Sequence, residues 1–343
     1  MKIQKVITDL ERKLCVQTYI KDGKSIDLDI LKPEAYRFYQ RLYWKRPDTF
    51  EIIPKLKHLE YYDRLKAFLE DFEVSDYDIE VSKTYENLIL SLFESIEKNG
   101  LYTIDDKFEY SKYNLFTTTG RPSNSNNGVN YAALNKNDGS RKKYISRFKS
   151  GCLLEMDFDA YHIRLIASLI DYKLPDTSVH EYFAKQFYGV SSVTKKEYEQ
   201  SKAMSFQVLY GGVPKELESI EYFNKTKQYI FNLWHNYNNK GYIETPIFKR
   251  RLYKNNLPDM KPQKLFNYLI QAYETERNIV VIEKIQKILE GYKSKLILYT
   301  YDAFLFDFAK EELHLKEKIK SITGLPVKMH IGNNYDDMSI LAQ

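Results

Sequence analysis

Carboxylates set inside an apolar segment are the first residues in this chain that could do chemistry. Residues 153–170 read LLEMDFDAYHIRLIASLI, with Asp157 and Asp159 at the centre. Leu153 to Phe158 reads as a buried strand, and Tyr161 to Ile170 as a helix with Ile163, Ile166, Leu169 and Ile170 facing inward. Asp159, at the junction, has a structural use, because a carboxylate there can cap the orphan amides of the first helical turn. Asp157 has no such use. A lone buried carboxylate costs several kcal/mol unless it is paired or metal-bound, so a second acid is expected beside it.

The best partner lies in KLILYTYDAFLFDF, residues 295–308, readable as two short strands turning at Tyr301-Asp302. Two carboxylates on neighbouring strand tips make a site for hard cations. Mg²⁺ typically takes one or two protein carboxylates and leaves its other positions to water and substrate phosphates. Taken alone, Asp302 reads better as an exposed residue on an edge strand. A third segment, KKEYEQSKAMSFQVLYGG at 195–212, places Lys202, Phe206 and Tyr210 on one helical face. A cation, an aromatic ring and a tyrosine in line can meet a triphosphate, a sugar and a base. A core stripe is the alternative, but lysine is a poor core residue.

The elements that must hold these groups belong to a chain of 343 residues with a net charge of +5, 43% hydrophobic and 29% charged. That composition is globular rather than disordered, and the mild basic excess permits an anionic partner without requiring one. Two cysteines, Cys15 and Cys152, make a disulfide framework improbable and fit a reducing, cytoplasmic compartment. No signal peptide or membrane span is expected. Thirty tyrosines, with abundant Lys and Asn, carry little functional weight. Asp9-Leu-Glu11 resembles the first acidic pair of a proofreading exonuclease, but too little chain separates it from the next unit, so it reads as a solvated helix start. Residues 55–72 carry a helical apolar stripe, and a second helix is expected from Thr84 to Lys98, stopped at Asn99-Gly100. The polar run 116–130 reads as a loop, and RKKYISRFK, 141–149, as a basic edge next to the acidic strand.

Together these segments resemble, over roughly residues 115–340, the polymerase domain of family A DNA polymerases. DFDAYHIR is similar to motif A, with Asp157 and Arg164; KAMSFQVLYG to motif B, with Lys202, Phe206 and Tyr210; and Tyr301-Asp302-Ala303 to motif C. TTTGRPS and the segment after it point to Arg121 and Asn130 near a primer-template, and NYLIQAYETER to Asn267 and Gln271 in the duplex minor groove. HEYFAKQFYG points to His180 at the triphosphate. IGNNYDDM resembles the family's C-terminal Gly-x-x-Trp segment with Tyr335 in place of Trp, and its Tyr-Asp-Asp is a decoy for the reverse-transcriptase motif.

The resemblance implies an α+β right-hand polymerase fold with an antiparallel-sheet palm, helical fingers and a short helical thumb. The expected boundaries are a 1–50 extension of unknown role, thumb 51–105, palm 106–171 and 265–343, and fingers 172–264. It implies Asp157, the Phe158 backbone carbonyl and Asp302 as ligands of two Mg²⁺ ions (Mn²⁺ a substitute), with Lys202 as a catalytic cation and His162, Arg164, His180, Phe206 and Tyr210 around the nucleotide. Primer-template DNA and dNTPs are the implied partners. A processivity factor, helicase/primase or exonuclease would act in trans, and the small size suggests a phage or mobile-element origin.

Departures from the family pattern sharpen these expectations. His162 stands where a glutamate usually excludes the ribose 2′-OH, so sugar selectivity is expected to be weaker and to vary over the pH range where a histidine titrates. His162 could also hydrogen-bond Tyr210. Tyr198 replaces the arginine one turn before Lys202, and Lys195 or Lys196 is expected to supply its charge. Ala303 replaces the third acid of motif C, and Phe206 in place of tyrosine implies discrimination against dideoxynucleotides. A single-subunit RNA polymerase or sugar-relaxed enzyme of the same fold is the alternative, as is a catalytically inactive nucleic-acid-binding relative.

Overall fold

The computed structural model describes Lys5–Val6, Thr18–Lys21, Lys24–Ile26 and residues 76–341 apart from 114, 116, 118, 125–128, 136–137, 255–256 and 258. The 55–72 stripe and the Asp9-Glu11 pair lie outside the described residues, as do the side chains of 209–211. The chain divides into two compact units. The smaller takes the residues up to Ser95 and Lys112–Asn130, and the larger takes Ile96–Ser111 and everything from Tyr131 onward.

The described start of the chain forms a three-stranded sheet, β1 (Lys5–Val6), β2 (Thr18–Lys21) and β3 (Lys24–Ile26). Helix α1, Asp76–Asn99, is longer than its apolar pattern suggests, and Ile89, Leu92, Phe93 and Ile96 are buried as that pattern requires. Gly100 ends it with a φ of 60°, which glycine adopts without steric cost.

The larger unit is built on a five-stranded, wholly antiparallel sheet. Its order is β10 (Lys295–Thr300), β11 (Ala303–Phe308), β7 (Cys152–Phe158), β12 (Val327–Gly332), β13 (Met338–Ile340). A smaller sheet of β4 (Leu101–Thr103), β5 (Phe108–Glu109) and β6 (Tyr144–Ile145) also belongs to this unit. In β7 the side chains alternate, so Leu154, Met156 and Phe158 share one buried face while Glu155 and Asp157 share the other.

The helices that follow are α2 (Tyr161–Leu169), α3 (Val179–Tyr188), α4 (Lys195–Gly211) and α5 (Glu221–Lys240). They bury one core with the start of α6 (Pro262–Leu289), centred on Ile163, Phe183, Val208, Phe223, Phe266 and Ile270. Each large apolar side chain buried there contributes about 1.5–3 kcal/mol. Helix α4 starts with a complete capping box, in which Thr194 and Glu197 satisfy each other's backbone amides. Helix α6 is buried along most of its length and opens with Pro262 at its first turn. Its Glu276, fully buried, pairs with Arg250 at 2.8 Å and accepts the amides of Ile247 and Phe248. That network holds the loop between β8 (Tyr242–Glu244) and β9 (Arg251–Tyr253).

Two sequence readings change. The basic edge at 141–149 is partly spent on structure: Arg147 donates to fully buried Asp307 at 2.8 Å and to the carbonyls of Asn99 and Gly100, while Arg141 donates to Leu134 O. Asp159 is not the cap of α2. Ala160 takes that position in the left-handed region, with no side-chain cap, because both Asp159 carboxylate oxygens are drawn to cations instead.

The β10–β11 turn is a two-residue hairpin closed by the Thr300–Ala303 pair, with Tyr301 at a φ of 63°. Such hairpins favour positive φ, but a tyrosine pays about 1–3 kcal/mol for it. Buried Asn278 of α6 secures the turn by donating to Tyr301 O at 2.7 Å and Tyr299 Oη at 3.2 Å, while Tyr161 Oη donates to Asn278 Oδ1 at 2.6 Å. Asn278→Ala should therefore cost about 1–3 kcal/mol in denaturant unfolding, whereas Tyr301→Gly should be neutral or stabilising; equal losses in both would refute this account of the turn.

Candidate active site

Asp157 and Asp302 meet through the sheet itself. Asp157 pairs with Ala303 across the β7–β11 ladder, and the Phe158 amide donates to the Asp302 carbonyl at 3.1 Å. Both aspartates line a cavity of about 220 Å³ shared with Glu155, Arg141, Tyr131 and Tyr335. Oxygen donors reaching one cavity from two strands suit a hard divalent cation. Among the described residues no group of three or more His, Cys, Asp or Glu converges in metal-binding geometry.

Glu155 was not singled out from the sequence. It is buried two residues before Asp157 on the same face, and Tyr335 Oη donates to it at 3.2 Å beneath the Arg141 guanidinium, 4.6 Å from the ring centre. Burial, with the Glu155 charge adding, pushes the Tyr335 phenol well above its ordinary range. An acid two residues before a strand-end aspartate is visible in the sequence, but nothing local distinguishes it from a buried structural carboxylate.

Beside Asp157 on the other flank lies Lys328 of β12, its direct register partner. The Lys328 ammonium sits 2.5 Å from Asp159 Oδ1, and Asp159 Oδ2 lies 3.4 Å from Arg164. Burial acts to lower the Lys328 ammonium, but the Asp159 hydrogen bond and the charges of Asp159 and Asp157, with the Tyr198 phenol adding, outweigh it and raise it. Arg164 itself is buried, with its donors on the carbonyls of Asp159, Pro175 and Thr177 at 2.9, 2.9 and 3.1 Å. Its guanidinium holds the loop before α3 against the end of β7.

His180 is buried near the start of α3, its ring edge-on to Tyr198 at 5.8 Å and tilted to Phe206 at 6.0 Å. Ser201 of α4 donates to the His180 carbonyl at 2.9 Å, so α4 carries Lys202 past His180. Lys202 is exposed and Phe206 is 38% exposed, so both side chains are accessible from solvent. Lys195 and Lys196 are exposed at the first turn of α4.

His162 projects from α2 and places Nε2 3.2 Å from Oε2 of Glu274, a fully buried residue of α6. Glu274 is thus a described partner of His162, and the side chain of Tyr210, its expected partner, lies outside the described residues. One turn earlier on α6, Gln271 donates to Asn267 Oδ1 at 3.3 Å, which sets the two side chains on one face. Arg121 and Asn130 belong to the smaller unit, where the Arg121 carbonyl accepts from Thr117. Among the described residues no helix is long and apolar enough to cross a membrane.

No protein-family model matches the chain. It is similar to DNA polymerase I of Streptococcus pneumoniae (strain ATCC BAA-255 / R6), 25% identical over 229 residues, covering 56% of this chain and 26% of that protein. It is also similar to DNA polymerase I of Bacillus subtilis (strain 168), 22% identical over 300 residues, covering 75% of this chain and 33% of that protein. The chain thus spans about a quarter to a third of the length of these curated relatives. Among solved structures it matches the polymerase domain of Pol1 from M. smegmatis in complex with DNA primer-template and dNTP, with a TM-score of 0.60 and 17% identity, covering 83% of this chain and 56% of that one. The architecture is accordingly the α+β, right-hand polymerase fold, with helices packed around an antiparallel sheet.

Proposed function

We propose that the chain is a template-directed DNA polymerase that adds dNTPs to a primer 3′-OH. The observation that carries this reading is the pairing of β7 with β11, which sets Asp157 beside Asp302 at one cavity. In this reading residues 106–171 and 265–343 are the palm, 172–264 the fingers and 51–105 the thumb.

Asp157, Asp302 and the Phe158 carbonyl would hold Mg²⁺, with Mn²⁺ as a substitute, which when bound would lower the pKa of the primer hydroxyl and stabilise the leaving pyrophosphate. Lys202 supplies preorganised positive charge where the triphosphate gains negative charge. His180 approaches the same phosphates as a neutral imidazole. Burial pushes it down to about 4, with Lys202 and Lys328 adding to that effect and Asp159 and Glu199 opposing it. Phe206 and Tyr210 present the sugar and base surfaces, while Arg121, Asn130, Asn267 and Gln271 track the primer-template without reading its sequence. A second reading, relaxed sugar choice or RNA synthesis, is favoured by His162, which Glu274 orients from behind.

Primer extension on a DNA template with Mg²⁺ decides between these readings. Extension with dNTPs that falls at least about a thousandfold in Asp302→Asn, the loss of several kcal/mol of charge stabilisation, is the expected result. Extension with rNTPs alone reverses the order of the two readings, and no extension even with Mn²⁺ leaves an inactive nucleic-acid-binding relative. Glu274→Gln should weaken the preference for dNTP over rNTP by about tenfold, measured as the ratio of kcat/KM values; an unchanged ratio removes Glu274 from sugar choice. For His180, the unfolded chain binds a proton below about pH 6.5 that the folded chain refuses until about pH 4. Stability should therefore be fully present above pH 6.5 and fall as pH drops toward 4, and His180→Gln should flatten that part of a urea-midpoint against pH curve.

A further inference from the structure

We propose that Lys328 is a phosphate-binding residue: from the central sheet it supplies the second cation that, with Lys202 on α4, grips the triphosphate of the incoming nucleotide. This rests on the polymerase reading and deepens it. A nucleoside triphosphate carries several negative charges, and one helical lysine leaves most of them unanswered. Tyr198, one turn before Lys202 on α4, contributes a phenol and no charge, and Lys195 and Lys196 stand exposed at the far start of that helix.

Lys328 is placed differently. It is the register partner of Asp157, and direct partners on antiparallel strands share a face of the sheet. Its side chain is 48% exposed, so a ligand can reach the ammonium. One of its three donors is fixed on Asp159 at 2.5 Å, and an ammonium has two more to offer. Asp159 is in turn held by Arg164, so the lysine is tethered to a rigid group rather than loose in solvent. His180 lies within the electrostatic reach of both Lys202 and Lys328. Both lysines thus act electrostatically on one imidazole, Lys202 from the helix and Lys328 from the sheet.

The competing account makes Lys328 only a counter-ion that neutralises Asp157 and Asp159 at the strand ends. The two accounts part in a double variant. The variants to compare are wild type, Lys328→Met, Lys328→Arg and the pair Asp159→Asn with Lys328→Met. Single-nucleotide insertion gives KM for dNTP and kcat, and inorganic tripolyphosphate, titrated into the protein, gives a binding constant that needs no catalysis.

Lys328→Met should raise KM for dNTP about 10- to 100-fold, the loss of one charge-assisted contact, with a parallel loss of tripolyphosphate affinity and little change in primer-template affinity. Lys328→Arg should recover most of it, and Asp159→Asn should not rescue Lys328→Met. Unchanged KM and tripolyphosphate affinity in Lys328→Met would overturn the proposal while leaving a polymerase that extends primers. Rescue by Asp159→Asn would overturn it in favour of the counter-ion. A wild-type protein that fails to extend primers but binds tripolyphosphate through Lys328 would sink the polymerase reading and keep the phosphate site.

Discussion

The ladders that join β7 to β11 on one side and β12 on the other are what the rest of the site depends on. They place Asp157 against the Asp302 turn at one flank and against Lys328 at the other. Carboxylates so close together in a partly dehydrated site repel one another and pay for lost hydration. The cations that offset this come from elements distant in sequence, so the charge balance exists only once the sheet has formed. A local motif therefore carries half of the chemistry, and the strand order supplies the other half.

Helix α6 is the second organising element, because it meets the site at three successive places. Asn267 and Gln271 occupy its early turns, Glu274 reaches His162, and Asn278 secures the turn that presents Asp302. Glu276, on a different side, pins the β8–β9 loop through Arg250. Polar groups buried along an otherwise apolar helix are costly unless each has a partner. Glu274, Glu276 and Asn278 find their partners in different parts of the larger unit, so the helix fixes the relative positions of those parts as well as its own.

Much of this was legible in the chain because its signals are local. The strand from Leu153, the hairpin at Tyr301-Asp302 and the helix carrying Lys202 and Phe206 all follow from apolar periodicity and turn residues, and the structure has them within a few residues. The readings that changed concern charges whose partners lie far away. Asp159 looks like a helix cap until Lys328 competes for it, and Arg147 looks solvated until Asp307 appears beneath it. Glu274 and Lys328 carry no local pattern at all, since one sits in a run of helix formers and the other in a strand of ordinary alternation. Pairing across long sequence separations is information that the fold creates.

Strand β7 has one further consequence, which lies in its two faces. Leu154, Met156 and Phe158 point one way, Glu155 and Asp157 the other. A slip of one residue against either neighbour would exchange the faces, driving both acids into the hydrocarbon side and the three apolar groups into the cavity. Register is therefore strongly specified in this sheet. The acids that line the cavity thus also fix the pairing of the strand, so the composition of the site and the register of the sheet are set by the same alternation.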